Sequence, residues 1–223
     1  MMEKKRSVSI IVAAIIALLT SGCINYEQET FLNSDMSGHT EICIFPNPEA
    51  YKAGLIASLD THKQDTTDAA TLLKDVKMKI KMKIDEQSLL GNLNLEAIKN
   101  KEFRQVEKDG VTYTYLSVEF DNIEDLYTKG HEVDISKNGQ GNIIYKEYPK
   151  LSELLSEFSS EPSFDRIEPE YLKEFYVQYT LHMPGKIVKA NTEDININVA
   201  TWHIPLERAI TEGITIIAEV KKP

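Results

Sequence analysis

The chain has little cysteine, little tryptophan and a deficit of positive charge. Only Cys23 and Cys43 occur among 223 residues. A domain held together by several disulfides is therefore excluded. Lysine and arginine number 25 against 35 aspartates and glutamates, for a net charge of −10. A surface that grips nucleic acid needs the opposite sign, because phosphate contacts are made by cations. The same deficit argues against adhesion to anionic lipid by electrostatics alone. After residue 23 no apolar run approaches the roughly 20 residues that a membrane-spanning helix requires. Gly-rich phosphate loops, G-x-S-x-G elbows, H-E-x-x-H helices and paired-cysteine spacings are all missing. No catalytic residue, cofactor site or metal site is assigned.

The most specific signal lies at the start. Lys4, Lys5 and Arg6 precede the uncharged stretch Ile10–Leu19, which runs into Thr20-Ser21-Gly22-Cys23. Ten apolar residues are too few to span a bilayer but match the hydrophobic region of a signal peptide. Small residues ahead of a cysteine form a lipobox, in which the cysteine is acylated and becomes the new N-terminus. Leu19 stands one position further back than the usual leucine. Residues 1–22 are thus read as a lipoprotein signal peptide and 23–223 as one extracytoplasmic domain. Removing the leader leaves −12, two units more acidic than the full chain.

Cys23 is the assigned lipidation site, and acyl chains there would supply the membrane contact. Each buried CH₂ contributes about 0.8 kcal/mol, so two or more chains anchor almost permanently. The expected location is the cell membrane or outer membrane, on the extracytoplasmic side. Strand character from Tyr26 leaves three residues of tether, about 10 Å when extended. Cys43, inside Glu41–Phe45, reads as a small buried hydrophobe.

Along the mature chain, hairpins predominate. Tyr26–Leu32 and His39–Phe45 flank Asn33-Ser34-Asp35-Met36-Ser37-Gly38, and Glu102–Glu107 and Val111–Phe120 flank Lys108-Asp109-Gly110. A third hairpin is expected from Glu132–Ser136 and Asn142–Glu147. The 33–38 segment echoes the opening of a calcium loop, but Ile44 occupies the closing acidic position, so it reads as a turn. Helices are expected at 48–60, 67–74, 85–90, 123–128, 151–158 and 206–211.

Val76–Ile84 alternates apolar residues with lysine, the period of a half-buried strand. Strands are expected at 175–181, 187–190 and 214–220. The phase change between Ile195, Ile197, Val199 and Ala200, Trp202, Ile204 predicts a β-bulge. Trp202 and Tyr179 are assigned to the core.

His39, His62, His131, His182 and His203 occur singly, with His182 and His203 on strands that could be neighbours. Glu132 and Asp134 share one strand face, where solvation explains them as well as acid–base work does. Together these patterns give an α+β fold: a largely antiparallel curved sheet built of hairpins, with several short helices packed on one face.

Met183-Pro184-Gly185-Lys186-Ile187, Ala190-Asn191, Ala200-Thr201-Trp202-His203-Ile204-Pro205-Leu206 and the closing strand Ile214–Val220 resemble the pattern of the LppM-like bacterial lipoprotein family. Phe120–Leu126 is similar to its strand-to-helix step. The resemblance implies a lipid-anchored α+β domain whose curved sheet, wrapped against helices, could enclose an apolar cavity for a lipid-like ligand. It brings no catalytic residues. Two functions follow as expectations: a non-enzymatic, membrane-anchored lipoprotein that binds a lipid-like or apolar ligand, or an envelope scaffold with a solid core that works by protein contacts.

Overall fold

A computed structural model of the protein describes residues 24–48, 84–128, 131–149 and 175–221. The segment read as a leader, Cys23, the helix expected at 48–60 except Pro48, the helices expected at 67–74 and 151–158, and all of the lysine-rich strand except Ile84 lie outside the described residues.

Alternation of apolar and polar side chains dominates the described chain, and strands follow from it. They are β1 (Ile24–Leu32), β2 (Gly38–Pro46), β3 (Ile98–Lys108), β4 (Val111–Phe120), β5 (Glu132–Lys137), β6 (Ile143–Tyr148), β7 (Tyr176–His182), β8 (Ile187–Ala190), β9 (Asp194–Asn196), β10 (Val199–Pro205) and β11 (Ile216–Val220). Three short helices accompany them: α1 (Glu86–Leu90), α2 (Ile123–Leu126) and α3 (Leu206–Thr211). Asp85 caps α1 by accepting from the Ser88 amide, and Asn122 caps α2 by accepting from the Glu124 amide.

Strands account for 59% of the described residues and helices for 12%, so the expected α+β class is incorrect and the described chain is mainly β. The seven-stranded sheet has the order β3-β4-β2-β1-β7-β10-β9, and the four-stranded sheet has the order β5-β6-β11-β8. The larger sheet is mixed, because β1 pairs with β7 in parallel. Among the described residues, what shares its core is a second sheet and not a layer of helices. The physical reason lies in strands β6, β8 and β11. Each carries its own apolar face (Ile143 and Tyr145, Ile187, and Ile216, Ala218 and Val220) and must bury it somewhere. These residues join Ile44, Leu116, Val118, Val177, Leu181 and Trp202 of the larger sheet in one core cluster. Full burial of such side chains stabilises by roughly 1.5–3 kcal/mol each.

The 33–38 turn closes on Gly38. A Cβ there would lie 1.9 Å from the Phe31 carbonyl oxygen, so glycine is required by close approach. The predicted bulge at Val199 is a turn instead. Val199 pairs back onto Asn196, so the chain reverses through Ile197 and Asn198, and the two phases belong to two strands. Ile197 takes φ 54°, a left-handed conformation that β-branched residues rarely adopt.

β1 starts two residues earlier than expected. Its first pair is Ile24 with Pro46, so the residue after Cys23 is already in the sheet.

Candidate functional site

Two constellations stand out, one on the outer face of the large sheet and one between the sheets.

On the outer face, strand pairing lines side chains up in rungs. The first rung, at the Ile24 end, holds Phe45 and Tyr113, stacked with ring centroids 4.8 Å apart. The second runs Arg104–Tyr115–Cys43–Glu27–Gln178. The third runs Ser117–Glu41–Glu29–Thr180. The fourth is a stack: Phe31 lies between His39 and His182, at 4.4 and 4.0 Å.

The first three rungs line a groove of about 430 Å³, formed by Glu27, Glu29, Glu41, Phe45, Tyr113 and Tyr115, with Cys43 among them. That volume lies within the range of small-molecule sites, roughly 300–1,000 Å³.

Each of the three carboxylates is engaged at one point. The Tyr176 hydroxyl donates to Glu27 (2.7 Å), His182 Nε2 meets Glu29 (2.6 Å), and Arg104 reaches Glu41 (3.2 Å). The Arg104 guanidinium also lies over the Tyr115 ring, 4.1 Å from its centroid. Burial raises the Tyr113 and Tyr115 phenols above their ordinary range, and the neighbouring Cys43 adds to it. Burial likewise pushes the Cys43 thiol up to about 12. Cys43 is therefore the buried small hydrophobe expected from its strand.

Between the sheets lies a buried polar network. Glu147 on β6 is 2% exposed, although it shares the inward phase of Ile143 and Tyr145. Its Oε1 meets His131 Nε2 at 2.7 Å and accepts from Gln28 Nε2 at 3.3 Å; its Oε2 accepts from the Tyr145 hydroxyl at 2.7 Å. Gln28 also donates to the Tyr127 hydroxyl (2.9 Å) and accepts from the Tyr26 hydroxyl (2.8 Å). Tyr127 stacks on His131 with centroids 3.5 Å apart. Burial, reinforced by the Glu147 carboxylate, holds the Tyr26, Tyr127 and Tyr145 phenols well above their ordinary range. Tyr179 is held up first by burial and then by Tyr26. Among the described residues no buried side-chain polar atom lacks a partner. A network satisfied in this way rigidifies a core and fixes how its layers meet.

The histidines separate by role. His203 stacks on Tyr176 at 4.3 Å, while His182 is on Phe31 and Glu29. Their strands are neighbours, but His203 pairs with Gln178 and His182 with Val199, so the two are offset along the sheet. Among the described residues no group of three metal-ligating side chains converges. Glu132 and Asp134 lie on the exposed face of β5. Trp202 and Tyr179 are core residues, paired across β10 and β7. In the 33–38 turn, the Asp35 carboxylate accepts from the Ser37 amide and hydroxyl, which holds its carboxyl below the ordinary range.

The Glu147 network escaped the sequence reading, yet a signal was present. Glu147 and Gln28 both occupy the inward phase of alternating strands, where a polar residue needs a partner.

Comparison with known proteins adds the following. The profile described as LIC11874-like matches residues 18–219. No curated protein matches. Among solved structures, the folded domain of Mycobacterium tuberculosis LppM, determined by NMR, aligns with 89% of this chain and 90% of its own. The identity is 14% and the TM-score 0.42, a loose likeness on which nothing further is built.

Proposed function

The chain belongs to the LIC11874-like family, and we propose that it is a lipid-anchored, non-enzymatic envelope lipoprotein that binds an amphipathic ligand in the groove of its large sheet. The observation that carries this reading is the start of β1. Pairing begins at Ile24, directly after the lipobox cysteine. An acyl group on Cys23 would enter the sheet with no linker between. The Phe45–Tyr113 end of the groove would then face the lipid surface, and the carboxylates would lie further out.

The ligand site is placed on the outer face, not in the sheet–helix cavity first expected. The space behind the large sheet is taken by the side chains of the second sheet and by the Glu147 network. A binding role also fits the chemistry of the groove. Its thiol is held protonated by burial, and its carboxylates are tied to Tyr176, His182 and Arg104. A working nucleophile needs the opposite treatment, a depressed pKa or an adjacent base.

The test is chemical. Mass spectrometry of the N-terminal peptide should find Cys23 acylated and residues 1–22 absent. The protein should partition into the detergent phase, and Cys23→Ala should move it to the aqueous phase. An unmodified Cys23 sulfhydryl would remove the anchor and the orientation that depends on it.

A scaffold role is the second reading. Ile197 is 70% exposed and Ile195 37%, both at the end of the large sheet opposite Ile24. Site-specific photo-cross-linking from position 197 in cells tests it. Absence of any protein adduct would set this reading aside.

A further inference from the structure

We infer that the groove recognises an organic cation with an apolar body, its positive charge held between Glu29 and Glu41 and its body laid on the rings of Tyr115, Tyr113 and Phe45. This rests on the groove being the binding site, as proposed above, and names the class of ligand.

The large sheet breaks a local rule here. Glu29 and Glu41 stand directly opposite each other on β1 and β2, both on the outer face. Like charges in register across antiparallel strands are destabilising. Glu27 adds a third carboxylate one rung away on the same face. Arg104 bonds Glu41, while among the described residues that line the groove itself there is no lysine or arginine. Arg104 offsets Glu41 and His182 meets Glu29, but three carboxylates on one patch still outnumber these partners; such a local excess is where function is expected, and a further cation would offset it.

These charges also keep aromatic company. An ion-pair site for a metal or a bare ammonium would not need rings. Here the carboxylates grade into Tyr115 on one rung and the stacked Phe45–Tyr113 pair on the next. Aromatic faces attract cations through the negative charge of the ring face, and cages of such rings select quaternary and alkylated ammonium groups.

The protein already makes this contact with itself. At the rim, Arg104 lays its guanidinium on the Tyr115 ring at 4.1 Å while bonding Glu41 at 3.2 Å. A cation held by a carboxylate and a ring is thus the interaction that this surface supports. Anionic ligands of the same shape are disfavoured by the same three carboxylates.

The experiment uses the full-length protein in a non-ionic maltoside detergent, with benzyltrimethylammonium as probe and benzenesulfonate as its anionic counterpart. Isothermal calorimetry should show saturable binding of the ammonium and none of the sulfonate. Glu29→Gln with Glu41→Gln should weaken the ammonium by about tenfold or more, the scale of a desolvated cation contact. Tyr115→Leu should weaken it similarly. The single Glu29→Gln variant serves if the double one does not melt cooperatively. Sulfonate bound in the groove as tightly as the ammonium would overturn the inference and leave the groove as a binding site. Binding of neither probe would remove both. Ammonium binding indifferent to the glutamine substitutions would also overturn the assignment.

Discussion

Gln28 Nε2 lies 3.3 Å from Glu147 Oε1, and this contact joins the middle strand of the seven-stranded sheet to the four-stranded one. Glu147 collects two further partners, His131 and Tyr145. Removing its carboxylate takes the partner from the Tyr145 hydroxyl and from His131, while Gln28 keeps Tyr127, and each such orphan costs about 1–3 kcal/mol. Glu147→Ala should therefore destabilise by about 2 kcal/mol or more in urea unfolding. Gln28→Leu should also destabilise, because it takes the acceptor from the buried Tyr26 hydroxyl while Glu147 keeps His131 and Tyr145. A double-mutant cycle giving no coupling between positions 28 and 147 would dissolve the link.

The phenols of this core make a prediction about alkali. Tyr26, Tyr127, Tyr145 and Tyr179 are all held protonated by burial to well above the ordinary value of 10.0. In the unfolded chain they ionise near 10. Above that pH the folded state binds more protons than the unfolded state, so stability falls as pH rises. The stabilisation is whole below pH 10 and declines progressively above it. Absorbance of phenolate should show these four ionising only together with loss of near-ultraviolet circular dichroism. Ionisation of all tyrosines before any unfolding would contradict the burial described.

Cys43 gives a thiol count that bears on the anchor. Its thiol is raised from 9.0 to about 12, chiefly by burial. At pH 8 the native protein should not react with a thiol-specific disulfide reagent, and in denaturant it should. With Cys23 acylated, unfolding should release one reactive thiol per chain. By linkage the burial of this thiol stabilises fully below about pH 9 and is lost as pH rises towards 12. Two thiols in denaturant would mean that Cys23 is free.

Much of the fold was legible because it is local. The turns at Asn33–Gly38 and Lys108–Gly110 carry residues that reverse a chain, and the β1–β2 and β3–β4 hairpins form where they indicate. The caps Asp85 and Asn122 likewise mark α1 and α2. What could not be read was the assembly of hairpins into two sheets. The parallel pairing of Tyr26 with Val177 joins residues 151 positions apart, and no local signal encodes it. The class was misjudged for the same reason: an apolar strand face does not say whether a helix or another sheet will cover it. In the groove, Glu29 and Glu41 meet only through the hairpin register, and Arg104 joins them only through β3 and β4. Cys23 lies outside the described residues, and its proposed acylation rests on the sequence pattern alone.

The turn at Ile197 supplies the last prediction. Its backbone sits at φ 54°, where a β-branched side chain crowds the neighbouring peptide. A left-handed backbone costs an ordinary residue roughly 1–2 kcal/mol, and glycine is free of that cost. The side chain is 70% exposed, so little burial would be lost with it. Glycine also loses more backbone freedom on folding, which offsets part of the gain. Ile197→Gly should therefore stabilise the domain by about 0.5–1 kcal/mol, seen as a higher urea midpoint with unchanged slope. A lower midpoint would mean that the isoleucine makes contacts that its exposure conceals. If the strained residue is kept for a partner, the same variant should gain stability while losing the photo-cross-linked adduct from the neighbouring position 195. The two effects together would separate selection for binding from selection for the fold.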